Sequence, residues 1–507
     1  MSLAQRGRLE LSDERASRSR LVAFILGRVP LAALVCALVA ALNAIGWSFT
    51  TPPFQVTDEP AHFAYVEQLA NSGRLPSSGS EEFSPDEQLA LRALRSEQVA
   101  RQPENQPIAT AGEQRALERD LASPAGSSRR ATGAAGVAAS QPPLYYALET
   151  IPYELGSAGG VLVQLQLMRL LSALMAGATA LFTFLFLRET LPAIPWAWTV
   201  GGLSVALAPL LASTSGGVNP DAMLFAVSAA AFYCLARAFR RGLTPRLAAA
   251  CCVLTAIGLL TKLTFLGLVP GILLALAVLA VREARSSRRV AVRTLVIGLA
   301  MVASPLCLYV LVNLISGRSG LGPASAAVES ATHSSSPGAE ISYVWQLYLP
   351  PLPGMHRDFA DVSSARDLWF NGLVGQYGWE DTFFPGWVYD LALIPAGVLA
   401  ALVLRALLVG RAALRRRAVE LCTYAVMALG LLVLIGVSSY STFPAQAAGF
   451  AEPRYVLPLL PLMAAAIALA ARGAGRRLGP PVGALIVVLF VAYDVFSQLQ
   501  VVARYYG

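Results

Sequence analysis

A succession of apolar stretches, each close to the roughly 20 residues a helix needs to cross a bilayer, constrains this chain more than any other feature. They fall near 29–48, 165–187, 195–213, 219–236, 247–263, 265–281, 292–313, 387–404, 419–437, 454–471 and 481–499. The fifth and sixth are short and tightly joined. The pattern predicts an all-α polytopic membrane protein with about 11 transmembrane helices. Composition agrees: 55% of residues are hydrophobic, 14% are charged and mean hydropathy is +0.56, where soluble proteins carry roughly 25% charged residues.

The net charge of +8 does not mark a nucleic-acid partner. Arginines sit in short stretches between apolar runs, as at Arg237, Arg240, Arg241 and Arg246, which is how cytoplasmic loops are marked. With the N-terminus inside, the inner segments 6–28, 188, 237–246, 282–293, 405–417 and 472–477 hold arginine, and the short outer turns are nearly free of it. The expected organisation is a multi-pass bacterial plasma-membrane protein. A cytoplasmic tail, 1–28, precedes a transmembrane domain, 29–499, and a short external tail, 500–507, follows it. Two large external loops, 49–164 and 314–386, interrupt the domain. The first holds helix-like polar stretches at 85–101 and 112–121 and an Ala/Gly/Ser-rich stretch around 122–140. The second begins rich in Gly and Ser and ends aromatic. All six cysteines fall in apolar runs, so they are expected as core residues and imply no disulfide framework.

Ionisable residues at membrane depth are costly and usually mark a site. In TDEPAHFAYVEQL, Pro60 predicts the start of a surface helix, with Asp58 and Glu59 at its cap and His62 on its first turn. Capping is the plain reading of an isolated Asp; two adjacent carboxylates and a histidine just after a span point to a site. In SQPPLYYALETIPYELG, Tyr145 and Tyr146 fall on an interfacial amphipathic stretch, where belt aromatics are the alternative. Lys262, the only lysine, could snorkel or meet a phosphate as a compact charge. Asn219 and Asp221 open the fourth span, with Asn219 a candidate cap. Arg169 lies at the outer end of the second span, Glu380 and Asp381 close the second loop, and Glu452 and Arg454 precede the tenth span. Under this topology all of them gather at the outer membrane face.

An Asp-Glu pair with a following histidine after a long first span, then PPLYY before the second, resembles the GT-C glycosyltransferase superfamily. Protein O-mannosyltransferases and lipid A aminoarabinose transferases belong to it. VNPDA, LTK, YGWEDTFFPGWVY and EPRYVLPLLP, in that order, look most like domain-of-unknown-function family 2142, over about 30 to 500. The resemblance implies inverting transfer of a sugar from a polyprenyl-phosphate donor to an envelope glycan, lipid or protein acceptor at the outer face. It assigns Asp58 as base, with Glu59 and His62 contacting acceptor or phosphate. A base is needed because a hydroxyl is a poor nucleophile, and cations stabilise the departing phosphate. Lys262, Arg454, Arg169 and His62 are the expected phosphate partners. Asp221, Asn219, Glu380, Asp381, Tyr145 and Tyr146 are expected at the sugar or acceptor. No metal cluster is apparent, though Asp58 and Glu59 could hold one divalent ion, Mg or Mn. The rival classes are a lipid-linked glycan polymerase or ligase, for which loop arginines such as Arg318, Arg357 and Arg366 would speak, and a transporter. A transporter should show midplane charges or repeat symmetry; no internal repeat is evident.

Overall fold

A computed structural model describes residues 29–76, 83–102, 104–108, 110–121, 136–284, 288–315, 337–355, 365–442 and 451–507. The N-terminal tail, most of the Ala/Gly/Ser-rich stretch, the Gly/Ser-rich start of the second loop, Arg318 and Arg357 lie outside them.

Inside a bilayer the backbone must satisfy itself, and helices do so within one segment. Among the described residues eight helices are long and apolar enough to cross, or nine if a bent pair counts as one span. That count does not reach the expected eleven among the described residues. Three expected spans account for the difference. The stretch 195–213 forms Pro195–Ala206 and Pro209–Ser215, bent by 52°, where Pro209 has no N–H to continue the ladder. The stretch 247–263 forms the 17-residue helix Pro245–Thr261. The stretch 292–313 lies on the 28-residue helix Arg288–Ile315, which is long enough to cross but is not among the eight.

Small residues set the packing at the centre. Ala33, Cys36, Ala40 and Ala44 on Leu31–Thr50 are buried, with Cys36 against Gly202, while Ala37 and Ala41 meet Gly177 on Gly160–Thr190. A Cβ on Gly177 would come within 2.9 Å of the Ala37 carbonyl oxygen, so only glycine permits this approach, as in membrane helix pairs generally. Asp221–Arg241 is almost wholly enclosed, whereas Gly386–Val409 presents Trp387, Leu391, Ile394 and Val398 outward. Cys36, Cys234, Cys251 and Cys252 are core residues as expected. Cys307 and Cys422 are exposed, because they fall on the outward sides of their helices.

Outside the bundle, the first large segment forms Glu59–Ser72, Pro85–Ala93, Ser96–Val99, Ala111–Leu121 and Leu144–Leu155. The polar stretch at 85–101 is thus broken at Arg95, whose φ is +54°. The second segment contributes Pro337–Tyr348 and a two-stranded antiparallel hairpin, Gln376–Tyr377 with Thr382–Phe383. Thr57 Oγ1 donates to the Gly378 carbonyl at 2.6 Å and Trp379 Nε1 to that of Phe54 at 3.2 Å. The hairpin is therefore clasped to the turn that follows the first span.

Candidate active site

The site begins where the first helix ends. Thr51 N–H closes Leu31–Thr50 on the Trp47 carbonyl, and the turn that follows holds Phe54 and Asp58 both at φ +63°. Non-glycine residues rarely adopt that region, and such strain concentrates at functional positions. Asp58 occupies the cap position of Glu59–Ser72, yet its side chain makes no cap hydrogen bond. Capping residues ordinarily have extended backbone; the left-handed one here leaves the carboxylate for other partners. Its Oδ2 accepts from Arg454 Nη2 at 3.0 Å. Its Oδ1 has no hydrogen bond among the described residues, and the side chain is 26% exposed.

Glu59 has a different fate. Arg169 Nε and Nη2 donate to its two oxygens at 2.8 and 2.6 Å, and Val218 N–H adds a third bond at 3.0 Å. Arg169 also donates to the carbonyls of Ser48, Thr51 and Pro52 at 2.9, 2.8 and 2.9 Å. All five guanidinium N–H groups are thereby engaged. Both side chains are buried. The expected phosphate role of Arg169 fails on this geometry, since no donor remains; the pair instead locks the Asp58 turn to the second and fourth spans. The expected divalent ion fares no better. Both Glu59 oxygens are occupied, and among the described residues no three His, Cys, Asp or Glu are placed to hold a metal.

Around Arg454 the charges converge. Its Nε lies 2.5 Å from Glu452 Oε2 and 3.5 Å from Asp221 Oδ2, as charge contacts rather than aligned hydrogen bonds. Lys262 Nζ donates to Asp221 Oδ1 at 2.7 Å and stands 5.0 Å from the centre of the Tyr455 ring, with Arg454 at 5.7 Å from it. Lys262 reaches this point because Pro245–Thr261 stops there and the backbone turns extended. It is buried, which removes the snorkelling alternative. Burial pushes the Glu452 carboxyl up to about 8 against the pull of Arg454, and raises Glu380 for the same reason. Asp58 and Asp221 both face the two cations.

The remaining candidates divide. His62 Nδ1 lies 3.0 Å from the Tyr146 hydroxyl, and burial lowers its pKa to about 4, with Asp58 opposing and Lys262 and Arg454 adding to the shift. A neutral imidazole is not a phosphate-binding cation, so that expectation is corrected. Tyr146 stacks on Tyr65 at 3.7 Å and is buried, as is Tyr145, whose hydroxyl meets Ser172 Oγ at 2.8 Å. Tyr145 packs the interfacial helix onto the second span and has no open side for a sugar. Asn219 Oδ1 accepts from Asp221 N–H at 2.9 Å, a local turn at the helix start, while its Nδ2 is buried without a partner among the described residues. Asp381 is held by Arg504 at 3.1 Å, and Arg504 also binds the carbonyls of Val99, Gln102 and Asn105. That pair ties both external segments to the last helix rather than opening to a ligand.

A cavity of about 40 Å³ adjoins the cluster, lined by Thr57, Gln376, Glu380, Glu452 and Arg454 among others. Small-molecule sites usually start near ~300 Å³, so a sugar would displace lining side chains. Sequence reasoning placed Glu452 at the outer face without giving it a role, and passed over Tyr455 and Arg504. It also missed Asp494, a carboxylate within the last span that accepts from Trp47 Nε1 at 3.0 Å. An acid inside an apolar run was the available signal for Asp494; FAEPRYV, with Glu452 two residues before Arg454, was the signal for the first two.

Solved structures that resemble the fold include three of low identity. ArnT from Cupriavidus metallidurans, bound to undecaprenyl phosphate, is 14% identical with a TM-score of 0.45, over 86% of this chain and 59% of that one. The oligosaccharyltransferase of Archaeoglobus fulgidus without ligand is 13% identical with a TM-score of 0.42, over 93% and 56%. The same organism's AglB with an inhibitory peptide and a dolichol phosphate is 12% identical with a TM-score of 0.43, over 94% and 56%. The chain thus spans less than two thirds of the length of the solved structures it matches. No curated protein matches it. A family model matches residues 42–463, and the chain belongs to that family, the predicted membrane proteins of DUF2142.

Proposed function

We propose that this protein is an inverting membrane glycosyltransferase that takes a sugar from a polyprenyl-phosphate donor, with Asp58 as base. The observation that carries the reading is Asp58 itself. It sits in a left-handed cap position without capping, with one oxygen on Arg454 and the other without a hydrogen bond among the described residues. In the transfer, the acceptor hydroxyl gives its proton to Asp58 as its oxygen attacks the anomeric carbon. The carbon–oxygen bond to the lipid phosphate breaks on the opposite side, and the polyprenyl phosphate leaves with the electron pair. Lys262 and Arg454 exchange carboxylate contacts for the phosphate oxygens and stabilise the charge that gathers there. Glu59 and Arg169 position the turn. Asp221 orients both cations, and Glu380, on the cavity wall, faces the sugar or acceptor. The acceptor is an envelope glycan, lipid or protein, and the site faces the outside of a bacterial plasma membrane.

The test is Asp58→Asn in lipid nanodiscs, against a panel of polyprenyl-phosphate sugars read by mass spectrometry. Asparagine keeps the shape and loses the proton acceptor. Transfer is expected to fall at least ~100-fold, as general-base losses do, with little change in melting temperature. A folded Asp58→Asn protein that transfers at the parental rate removes Asp58 from the mechanism. A parent that transfers nothing across the panel counts against the reaction class itself.

A further inference from the structure

The helix that carries Arg169 has a second charged site at its far end, outside the proposed reaction. Glu189 follows Arg169 by 189 − 169 = 20 residues on Gly160–Thr190. That is a rise of about 30 Å, the thickness of a bilayer's hydrocarbon core. There Glu189, itself buried, pairs with Arg240 at 3.0 Å and Arg241 at 2.8 Å. Arg417 makes a two-pronged pair with Glu420 at 2.7 and 2.8 Å. These pairs frame a pocket of about 270 Å³ whose wall also carries Arg282 and Arg416. Neither of those two arginines has a carboxylate partner among the described residues; Arg282 lies 5.9 Å over the Phe239 ring instead. Four arginines against two satisfied glutamates leave the pocket with two surplus positive charges.

We propose that this pocket binds the headgroup phosphate of an acidic phospholipid, in the leaflet opposite the Asp58 cluster. The guanidinium fork matches phosphate oxygens, and basic pockets between span ends are where anionic headgroups are held. The surroundings favour a lipid over a soluble phosphate. Pro192, Phe239 and Val419 supply apolar wall. Beside it Val281 and Leu421 are 61% and 41% exposed on the outward faces of their helices, surface on which an acyl chain can lie.

The whole protein in neutral detergent is titrated with phosphatidylglycerol, phosphatidylcholine and soluble glycerol phosphate, and bound molecules are counted by native mass spectrometry. Phosphatidylglycerol is expected to bind at least ~10-fold more tightly than phosphatidylcholine. That preference is lost in Arg282→Ala/Arg416→Ala, partly kept in Arg282→Lys/Arg416→Lys, and unchanged in Arg476→Ala, at a residue that does not line the pocket. Equal binding of the two lipids by the parent overturns the proposal without any variant. So does an undiminished preference in a folded double-alanine protein. Displacement of phosphatidylglycerol by glycerol phosphate at equal concentration identifies a soluble ligand and overturns the lipid assignment.

Discussion

Arg169 directs all its N–H groups at Glu59 and three carbonyls, while Arg454 donates to Asp58 and lies against Asp221 and Glu452 without aligned bonds to them. Their partners explain the difference, and none of those partners except Glu452 is near in sequence. That is why a lone arginine at the end of a span was legible as unusual but not as structural: Glu59 lies 110 positions away. Breaking such a buried pair typically costs about 3–5 kcal/mol. Arg169→Ala is therefore expected to melt far below the parent or fail to accumulate, and Arg169→Met with Glu59→Leu to recover part of the loss. A thermal melt of the two in nanodiscs decides it. Lys262 makes the opposite prediction. Lys262→Ala should weaken donor binding more than folding, with Lys262→Arg a partial rescue, because a planar fork replaces a compact charge. Normal turnover of donor by Lys262→Ala would make it only the partner of Asp221. Glu149 adds a pH dependence. It is fully buried, and burial pushes its carboxyl up to about 8 from an ordinary 4.5. Between those values the folded state binds the extra proton, so its contribution is whole below about 4.5 and lost as pH rises through about 8. Melting temperature should fall across that window in the parent and fall less in Glu149→Gln.

Single helices were easier to read than their breaks. Pro60, Pro85 and Pro195 each sit in the first turn of a helix, as proline's fixed φ favours. The turn at Asp58 was invisible for the same kind of reason: its φ of +63° is imposed by the Arg169 and Arg454 contacts and by the hairpin, not by a glycine. The hairpin itself escaped notice because it has only two residues per strand, although its YGWEDTF sequence carried the family resemblance. Gly378 turns it at φ +66°, and a Cβ there would lie 2.4 Å from the Tyr505 hydroxyl and 2.7 Å from Asp381 Oδ1. Gly378→Ala is thus expected to push the hairpin off the Thr57 turn at a cost of roughly 1–3 kcal/mol. Transfer should suffer together with stability. A variant that melts and reacts like the parent would show that the clasp does not hold the site.

Across the whole molecule, hydropathy located the membrane bundle and arginine its expected direction, because both signals are local sums over a segment. Helix–helix contacts such as Gly177 on Ala37 are not local, and neither is the division of buried charges into locked and available ones. The two ends of Gly160–Thr190 show what direction means here. One end holds Arg169 beside the Asp58 turn, and the other holds Glu189 among arginines. If basic segments stay inside, the Asp58 cluster faces outward, where a lipid-linked sugar would meet an envelope acceptor. The prediction is tested by single cysteines in a protein whose six native cysteines are replaced by serine or alanine. Glu118, exposed on Ala111–Leu121, and Ala412, exposed on Arg411–Arg416, lie in external and inner segments of the expected topology. In intact cells an impermeant maleimide should label Glu118→Cys and leave Ala412→Cys untouched until the cells are opened. Labelling of Ala412→Cys with Glu118→Cys protected would invert the molecule. The proposed donor would then have to be presented from the cytoplasm, and outer-face transfer would be ruled out even if Asp58 proved essential.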